Sequence, residues 1–481
     1  QVPGRAGARA LFGHAAFAQQ WVDKKYAYDS MLNVVYGTAV NFNGGLDSLR
    51  MDIYTPICDD STQLSNSPLL VWVHGGAFLA GSKDDPSITN LCKQFARRGY
   101  VTASISYRLG FIADDVAWNC NYPNYSCVFA ADSSEWYRAL YRGIQDGKGA
   151  LRYLINRHSE YRIDSSNVFV AGESAGAFVA LGIALLDTAV ERLPHTFELA
   201  AAPRPSPNAF NCSYNQNQYF FGDSIQRPDL GEIDGTIEPT AINYTIKGIG
   251  NMYGALANDL LRFHKANEPK PAIFSFHQPC DPVVPIDSGL VYWGLSWCFT
   301  NGYNCYGIAN TPTVYGSRAF SGWNTQNNYG YSIQNEFTAT NFPYNFLFGP
   351  GSCADQINNP CHAYDNALLR ENNLAQFFSG FVPIVPECDP TVSAPEPTQP
   401  ASELLASIFP NPTRNTFKIR LSKPQRYALR ISDAFGRVLL QEQSVTDLEK
   451  EFDLGGYAPG LYLVNIRGEN GESLSRLVLK N

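Results

Sequence analysis

The chain lacks any uninterrupted apolar run of about 18 residues, the length a membrane-spanning helix requires, so no stable membrane insertion is expected. It has no C-x-x-C pair and no two histidines at i, i+4, so zinc-ligand spacing is missing and no metal is expected. Charge is sparse: 17% of residues are charged, below the roughly 25% of ordinary globular chains. The balance is acidic, at −8 with a pI near 5.5, which excludes the basic footprint of a nucleic-acid binder. No internal repeat is visible. What is present suffices for a core. Apolar residues make up 44% and aromatics 13%, which rules out disorder over the whole chain. A length of 481 residues suggests two to four domains, or one large domain with an appendage.

Eleven cysteines without metal-site spacing point to disulfides and an oxidising, extracytoplasmic compartment. Cys120 and Cys127 are close in sequence, as are Cys353 and Cys361. An odd count leaves at least one thiol over unless a bridge forms between chains. Near the start, Arg5 and Arg9 precede the short apolar stretch Ala10–Ala18, which ends Ala16-Phe17-Ala18. A basic region, a brief hydrophobic stretch and a small-x-small pattern read as the remnant of a signal peptide over 1–18.

A proline-rich linker at 385–403 separates two regions of different character. All cysteines lie before or within it, and residues 404–481 carry +3 against −11 for the remainder. Residues 19–384 alternate short apolar runs with helical periodicity. Leu69–Val73, Gly99–Ile105, Asn167–Ala171, Ile246–Met252 and Ala272–Phe276 read as strands, and 143–157 and Ala175–Leu186 as helices. That alternation predicts an α/β domain with a mostly parallel sheet flanked by helices. Residues 404–481 instead show short, closely spaced strands at Phe417–Leu421, Tyr427–Ile431, Val438–Gln441 and Leu461–Ile466, the pattern of a small all-β sandwich.

Gly172-Glu173-Ser174-Ala175-Gly176 fits G-x-S-x-G between a strand and a helix. A turn this tight needs its glycines, and it lifts a serine hydroxyl above the sheet at a helix N-terminus. There the positive end of the dipole favours a developing oxyanion. Earlier in the chain, His74-Gly75-Gly76-Ala77-Phe78 ends the strand Leu69–Val73. Its glycines suit a backbone that must approach a substrate and aim N–H groups at it.

These motifs carry a resemblance. Residues 71–85 (VWVHGGAFLAGSKDD), 104–111 (SISYRLGF) and 162–177 (RIDSSNVFVAGESAGA) run in the order of the α/β-hydrolase carboxylesterase family, which includes lipases and cholinesterases. The resemblance covers most of 45–285 and implies an α/β-hydrolase fold with a cap or insertions. It implies Ser174 as nucleophile and N–H donors at Gly76, Ala77 and Ala175, where Ala77 stands in place of a common third glycine. The family's acid loop resembles Asp281-Pro282-Val283-Val284-Pro285, with His277-Gln278 where His-Gly is familiar. Asp281 is therefore the expected acid and Asp287 its competitor. Only His362 lies beyond Asp281 among the histidines, so it is the expected base; a Cys353–Cys361 bridge would hold it. His14, His158, His195, His264 and His277 read as surface or packing residues, and the His74 ring as structural. No cofactor is needed for this chemistry, and the implied partner is an ester substrate, small or polymer-linked. A related serine peptidase and an inactive binding or adhesion protein on the same scaffold remain alternatives.

The 81 residues from Asp281 to His362 exceed what one helix and one strand need, and they are rich in Trp and Tyr. These rings either line an acyl or aryl pocket or pack a small core of their own. That leaves aryl, feruloyl or polyester substrates open. A second insertion, at 187–245, falls where relatives place cap elements. The last region resembles the C-terminal sorting domain of type IX secretion substrates. It does so through Phe409-Pro410-Asn411-Pro412, Asp433-Ala434-Phe435-Gly436-Arg437, Pro459-Gly460-Leu461-Tyr462-Leu463 and the basic end Arg476–Lys480. That resemblance implies a Bacteroidetes-type source, export through the secretion machinery, and a secreted or cell-surface protein. A carbohydrate- or surface-binding module is the alternative for this sandwich.

Overall fold

The computed structural model describes residues 20–112, 132–203, 224–291, 311–338, 360–383 and most of 406–480, apart from 59–63, 65 and 265–267. The chain divides into two units, Gln1–Cys388 and Asp389–Asn481. The expected signal remnant, the linker, Cys120, Cys127, Cys353 and the rings from Tyr292 to Tyr306 lie outside the described residues.

The first unit is built on eight strands: β1 (Ala27–Val40), β2 (Leu46–Ile57), β3 (Ser67–Val73), β4 (Val101–Ile105), β5 (Ile163–Glu173), β6 (Ile246–Met252), β7 (Ala272–Phe276) and β8 (Ile333–Glu336). Their spatial order is β1-β2-β4-β3-β5-β6-β7-β8. The first two pairings are antiparallel and the remaining five parallel. Every residue of β3 and β4 is buried, as continuous apolar runs in a doubly covered sheet should be. Successive side chains feed opposite layers. Leu69, Val71, Val73, Val168 and Val170 join one apolar cluster. Leu70, Trp72, Phe169 and Ala171 join the other.

Two helices matter most for what the sheet carries. The helix α2 (Ser133–Asn156) is capped by Asp132, whose side chain accepts from Glu135 N, so it begins ten residues before the 143–157 periodicity suggests. The helix α3 (Ala175–Leu185) is buried along its whole length and leaves directly from β5. Strand β4 starts two residues later than the pattern implies, because Gly99 has φ +101° and turns the chain. Strands β1 and β2 were not expected at all. Much of β1 is solvent-facing, with Leu32 at 58% exposure, so its apolar residues do not follow one period.

The loop after β4 is fastened to α2 by a buried ion pair. Arg108 Nη2 stands 2.7 Å from Asp146 Oδ1, and Arg108 N donates 2.7 Å to Asp146 Oδ2. From this anchor, Tyr107 Oη donates 3.1 Å to His74 O and Gly110 N donates 2.7 Å to Phe78 O. The pair therefore supports the loop that follows β3.

The second unit contains two antiparallel sheets. One joins 406–409, 416–421 and 449–453; the other orders 438–445, 427–433, 460–468 and 473–480. Both contribute to one core, including Phe417, Ile419, Leu429, Ile431, Val464 and Val478, so this is the expected sandwich.

Removing one member of a buried pair leaves the other charge uncompensated. Asp146→Ala should therefore lower the unfolding free energy of the first unit by about 3–5 kcal/mol. Denaturant melts followed by tryptophan fluorescence would read this; an unchanged midpoint would show the pair to be dispensable.

Candidate active site

Strand β5 ends at Glu173 and α3 begins at Ala175, with Ser174 between them at φ 51° and ψ −123°. A serine holds so strained a backbone only where its surroundings leave no alternative. Here the helix crosses too close to the sheet for side chains. A Cβ on Gly176 would lie 2.1 Å from Val73 O, and one on Gly172 would lie 2.2 Å from Gly176 O. Ser174 N donates 3.0 Å to Met252 O, which ties the turn to β6. Beside the serine, Glu173 is buried, and burial raises its carboxyl above the ordinary range; Ser87 Oγ donates 2.7 Å to its Oε2.

The expected serine, acid and base are brought together from three distant segments. His362 Nε2 lies 2.8 Å from Ser174 Oγ, and His362 Nδ1 lies 2.8 Å from Asp281 Oδ2. An ionised carboxylate can only accept, so Nδ1 carries the proton and Nε2 is left to accept from the hydroxyl. Asp281 sits in the loop after β7 and is fully enclosed. Burial raises its carboxyl, but the charge of His362 and the hydrogen bonds of His277 and His362 outweigh that and hold it at about 2. Its second oxygen accepts from Val283 N at 2.8 Å and Val284 N at 3.0 Å. The Tyr253 ring meets the His362 ring edge-on at 4.9 Å.

His277 was expected to be a surface or packing residue, and its place is more specific. Its Nε2 lies 3.0 Å from Val284 O and 3.3 Å from Asp281 Oδ2, two acceptors, so this nitrogen donates. Its Nδ1 lies 3.0 Å from Ser317 Oγ, which in turn accepts from Asn251 Nδ2 at 3.0 Å. A buried line of donors, Asn251 to Ser317 to His277, thus ends on the acid. The signal for it was the histidine four residues before Asp281, read there only as part of a familiar loop.

The expected oxyanion residues lie on the other side of the serine. Gly76 and Ala77 have φ +105° and +57°, and a Cβ on Gly76 would stand 2.2 Å from Ala80 O. The N–H groups of Gly76, Ala77 and Ala175 make no hydrogen bond among the described residues. Behind the loop, Phe78, Trp136 and Phe178 pack edge to face, with centroids 4.8 and 5.3 Å apart about Trp136. The His74 ring is structural, as expected. It stacks on Tyr107 at 4.5 Å, Nδ1 lies 2.7 Å from Gly75 O, and burial lowers its pKa to about 4.

One expectation needs correction, and two others are narrowed. Cys361 pairs with Cys280, with sulfurs 2.06 Å apart, and not with Cys353. Proximity in sequence misled, because the loops carrying Cys280 and Cys361 meet only in the folded sheet. Asp287 is no competitor for the acid: it is spent on an exposed ion pair with Arg318. The pocket-or-core question for the long insertion falls mostly outside the described residues. Tyr315, Trp323, Tyr329 and Tyr331 pack against the main core. The leftover thiol is Cys92, buried in α1 (Pro86–Ala96) and free among the described residues.

Residues 51–116 and 137–208 match the BD-FAE family model, and residues 407–480 match the secretion system C-terminal sorting domain. Among curated proteins, the para-nitrobenzyl esterase of Bacillus subtilis is 28% identical over 130 residues, 27% of this chain and 23% of that protein. Phenmedipham hydrolase of Pseudarthrobacter oxydans is 29% identical over 139 residues, 29% of this chain and 23% of the relative. Fumonisin B1 esterase of Sphingopyxis macrogoltabida is 28% identical over 193 residues, 39% and 32%. The chain thus spans about a quarter to a third of the length of these relatives. Over residues 51–116 and 137–208 the first unit resembles esterases.

Two solved esterase structures align with most of this chain. A truncated carbohydrate esterase from gut microbiota has 14% identity and a TM-score of 0.36, over 74% of this chain and 97% of that one. Esterase 2 of Thermogutta terrifontis has 15% identity and a TM-score of 0.36, over 74% and 96%.

Within the first unit, His277 braces Asp281, and its removal has a signed consequence. A carboxyl held low in the folded state contributes stability above its unfolded value of roughly 3.9, and loses it as pH falls through the folded value, here about 2. His277→Ala takes away one of the groups that lowers Asp281. Acid unfolding of the variant should therefore begin at higher pH, with a loss at neutral pH of about 1–3 kcal/mol from the stranded acceptors. Paired acid and urea titrations would measure both; superimposable curves would remove His277 from this role.

Proposed function

We propose that this protein is a secreted serine carboxylesterase that cleaves carboxylic esters through an acyl-enzyme. The observation that carries the reading is the unbroken line Ser174–His362–Asp281, with both hydrogen bonds at 2.8 Å. Ser174 Oγ attacks the ester carbonyl while His362 Nε2 takes its proton. The same proton then goes to the departing alcohol, and water repeats the sequence on the acyl-enzyme. Asp281 orients the imidazole and stabilises its charged form. Gly76, Ala77 and Ala175 would hold the tetrahedral oxyanion, each such donor being worth roughly 3–4 kcal/mol. The sorting domain supports export by the type IX route to the cell surface or beyond.

The name of one relative supports an ester that bears an aromatic group. That relative bears the name of a para-nitrobenzyl ester, and another that of fumonisin B1. We extend this to aryl or feruloyl esters on a polymer, with synthetic polyesters as a further class to assay.

Hydrolysis of p-nitrophenyl esters from C2 to C16 tests the reading. The wild-type protein should turn over the short members, and Ser174→Ala should lose about 10⁶-fold in kcat, as nucleophile removal does in triad enzymes. An inert wild type that instead cleaves peptide amides would replace the esterase with a peptidase. Folded protein inert to both would leave a binding scaffold.

A further inference from the structure

The Cys280–Cys361 disulfide joins the residue before the acid to the residue before the base. Its Cα atoms are 5.6 Å apart and it spans 81 residues of sequence. Both partners are buried, Cys361 fully. The loop of Asp281 hangs from β7, and His362 arrives after the long insertion, so no strand or helix carries both. Gln278 Nε2 also donates 2.8 Å to Ala363 O, a weaker tie between the same two segments.

We infer that this disulfide is a positioning element of the catalytic site and makes activity depend on oxidation; the inference rests on the triad reading above. With the bond formed, the backbones of the acid and base segments are fixed one residue from each reacting side chain. With it reduced, the two segments are held together chiefly by the hydrogen bonds of the imidazole and of Gln278, which constrain the backbones less than a covalent bond does. The redox step is a two-electron reduction of the disulfide, by exchange with a dithiol or by a phosphine that leaves as its oxide with the oxygen of water. A dithiol or phosphine reductant supplies two electrons, the S–S bond breaks, each sulfur takes a proton, and the reductant is oxidised. A chain held reduced before export would therefore reach its working geometry only after oxidation outside the cytoplasm, which suits a protein marked for secretion.

The test compares oxidised wild-type protein, the same protein reduced with TCEP, and an oxidised C280S/C361S variant that keeps every other cysteine. Two readouts are used: the rate at which a fluorophosphonate labels Ser174, which assumes no ester, and kcat and KM on p-nitrophenyl acetate. Misplacing a catalytic group by about 1 Å costs on the order of 10²-fold in rate. Labelling and kcat should therefore fall about 10–100-fold in the reduced and the variant protein, with KM little changed and circular dichroism retained. TCEP should have no further effect on the variant, which separates this bond from the other cysteines. A folded variant labelled at the wild-type rate overturns the inference. So does reduced wild type that keeps its rate while mass spectrometry finds Cys280 and Cys361 both alkylated. If the variant fails to fold, the reduced wild type decides. Oxidised protein that is never labelled would defeat the triad reading, and this inference with it. Oxidised protein that is labelled, and keeps its rate once both cysteines are shown reduced, would defeat the inference alone.

Discussion

The close crossing of the helix α3 over the edge of strand β3 sets everything else at this site. Val73 O and Gly176 approach until no side chain fits between them. That contact is why β5 must turn sharply into its helix. The sharp turn is why Ser174 sits at φ 51° and points out of the sheet. It also leaves Ala175 N–H at the helix start with no partner among the described residues, like the N–H groups of Gly76 and Ala77. The strain at the serine is tolerated because the sheet beneath it is buried on both faces and cannot relax.

The other half of the site is a problem of burial. Asp281 is a charge in a place without water, and such a charge persists only if its lone pairs are used. One oxygen accepts two backbone N–H groups and the other faces two imidazoles. The cost of enclosing the charge is thereby offset, and the same contacts aim His362 at the serine. His277, Ser317 and Asn251 continue the line into the core, so the acid is held from behind as well as from the front.

Much of this was legible in the sequence because it is local. The apolar runs of β3, β5, β6 and β7, the G-x-S-x-G turn and the glycines after His74 each declare themselves within ten residues. Ser174 follows from its turn, and His362 from being the last histidine. What was not legible depends on contacts between distant segments. Strand β1 lies at the sheet edge, mostly solvent-facing, where periodicity is weak. Asp281 was preferred to Asp287 from its loop, but only the fold shows that one meets His362 and the other Arg318.

The sequence by itself determined the class of fold, the two-part organisation and the chemistry available, since backbone strain, periodicity and residue type are written in short stretches. Tertiary structure alone decided which cysteine meets which, and what role a histidine takes. Cys361 lies eight residues from Cys353 along the chain and 81 from Cys280, yet the parallel sheet brings the loops after β7 and before α5 (Ala367–Ser379) together. His277 became part of the site for the same reason: pairing in space obeys the order of strands, which no local pattern records.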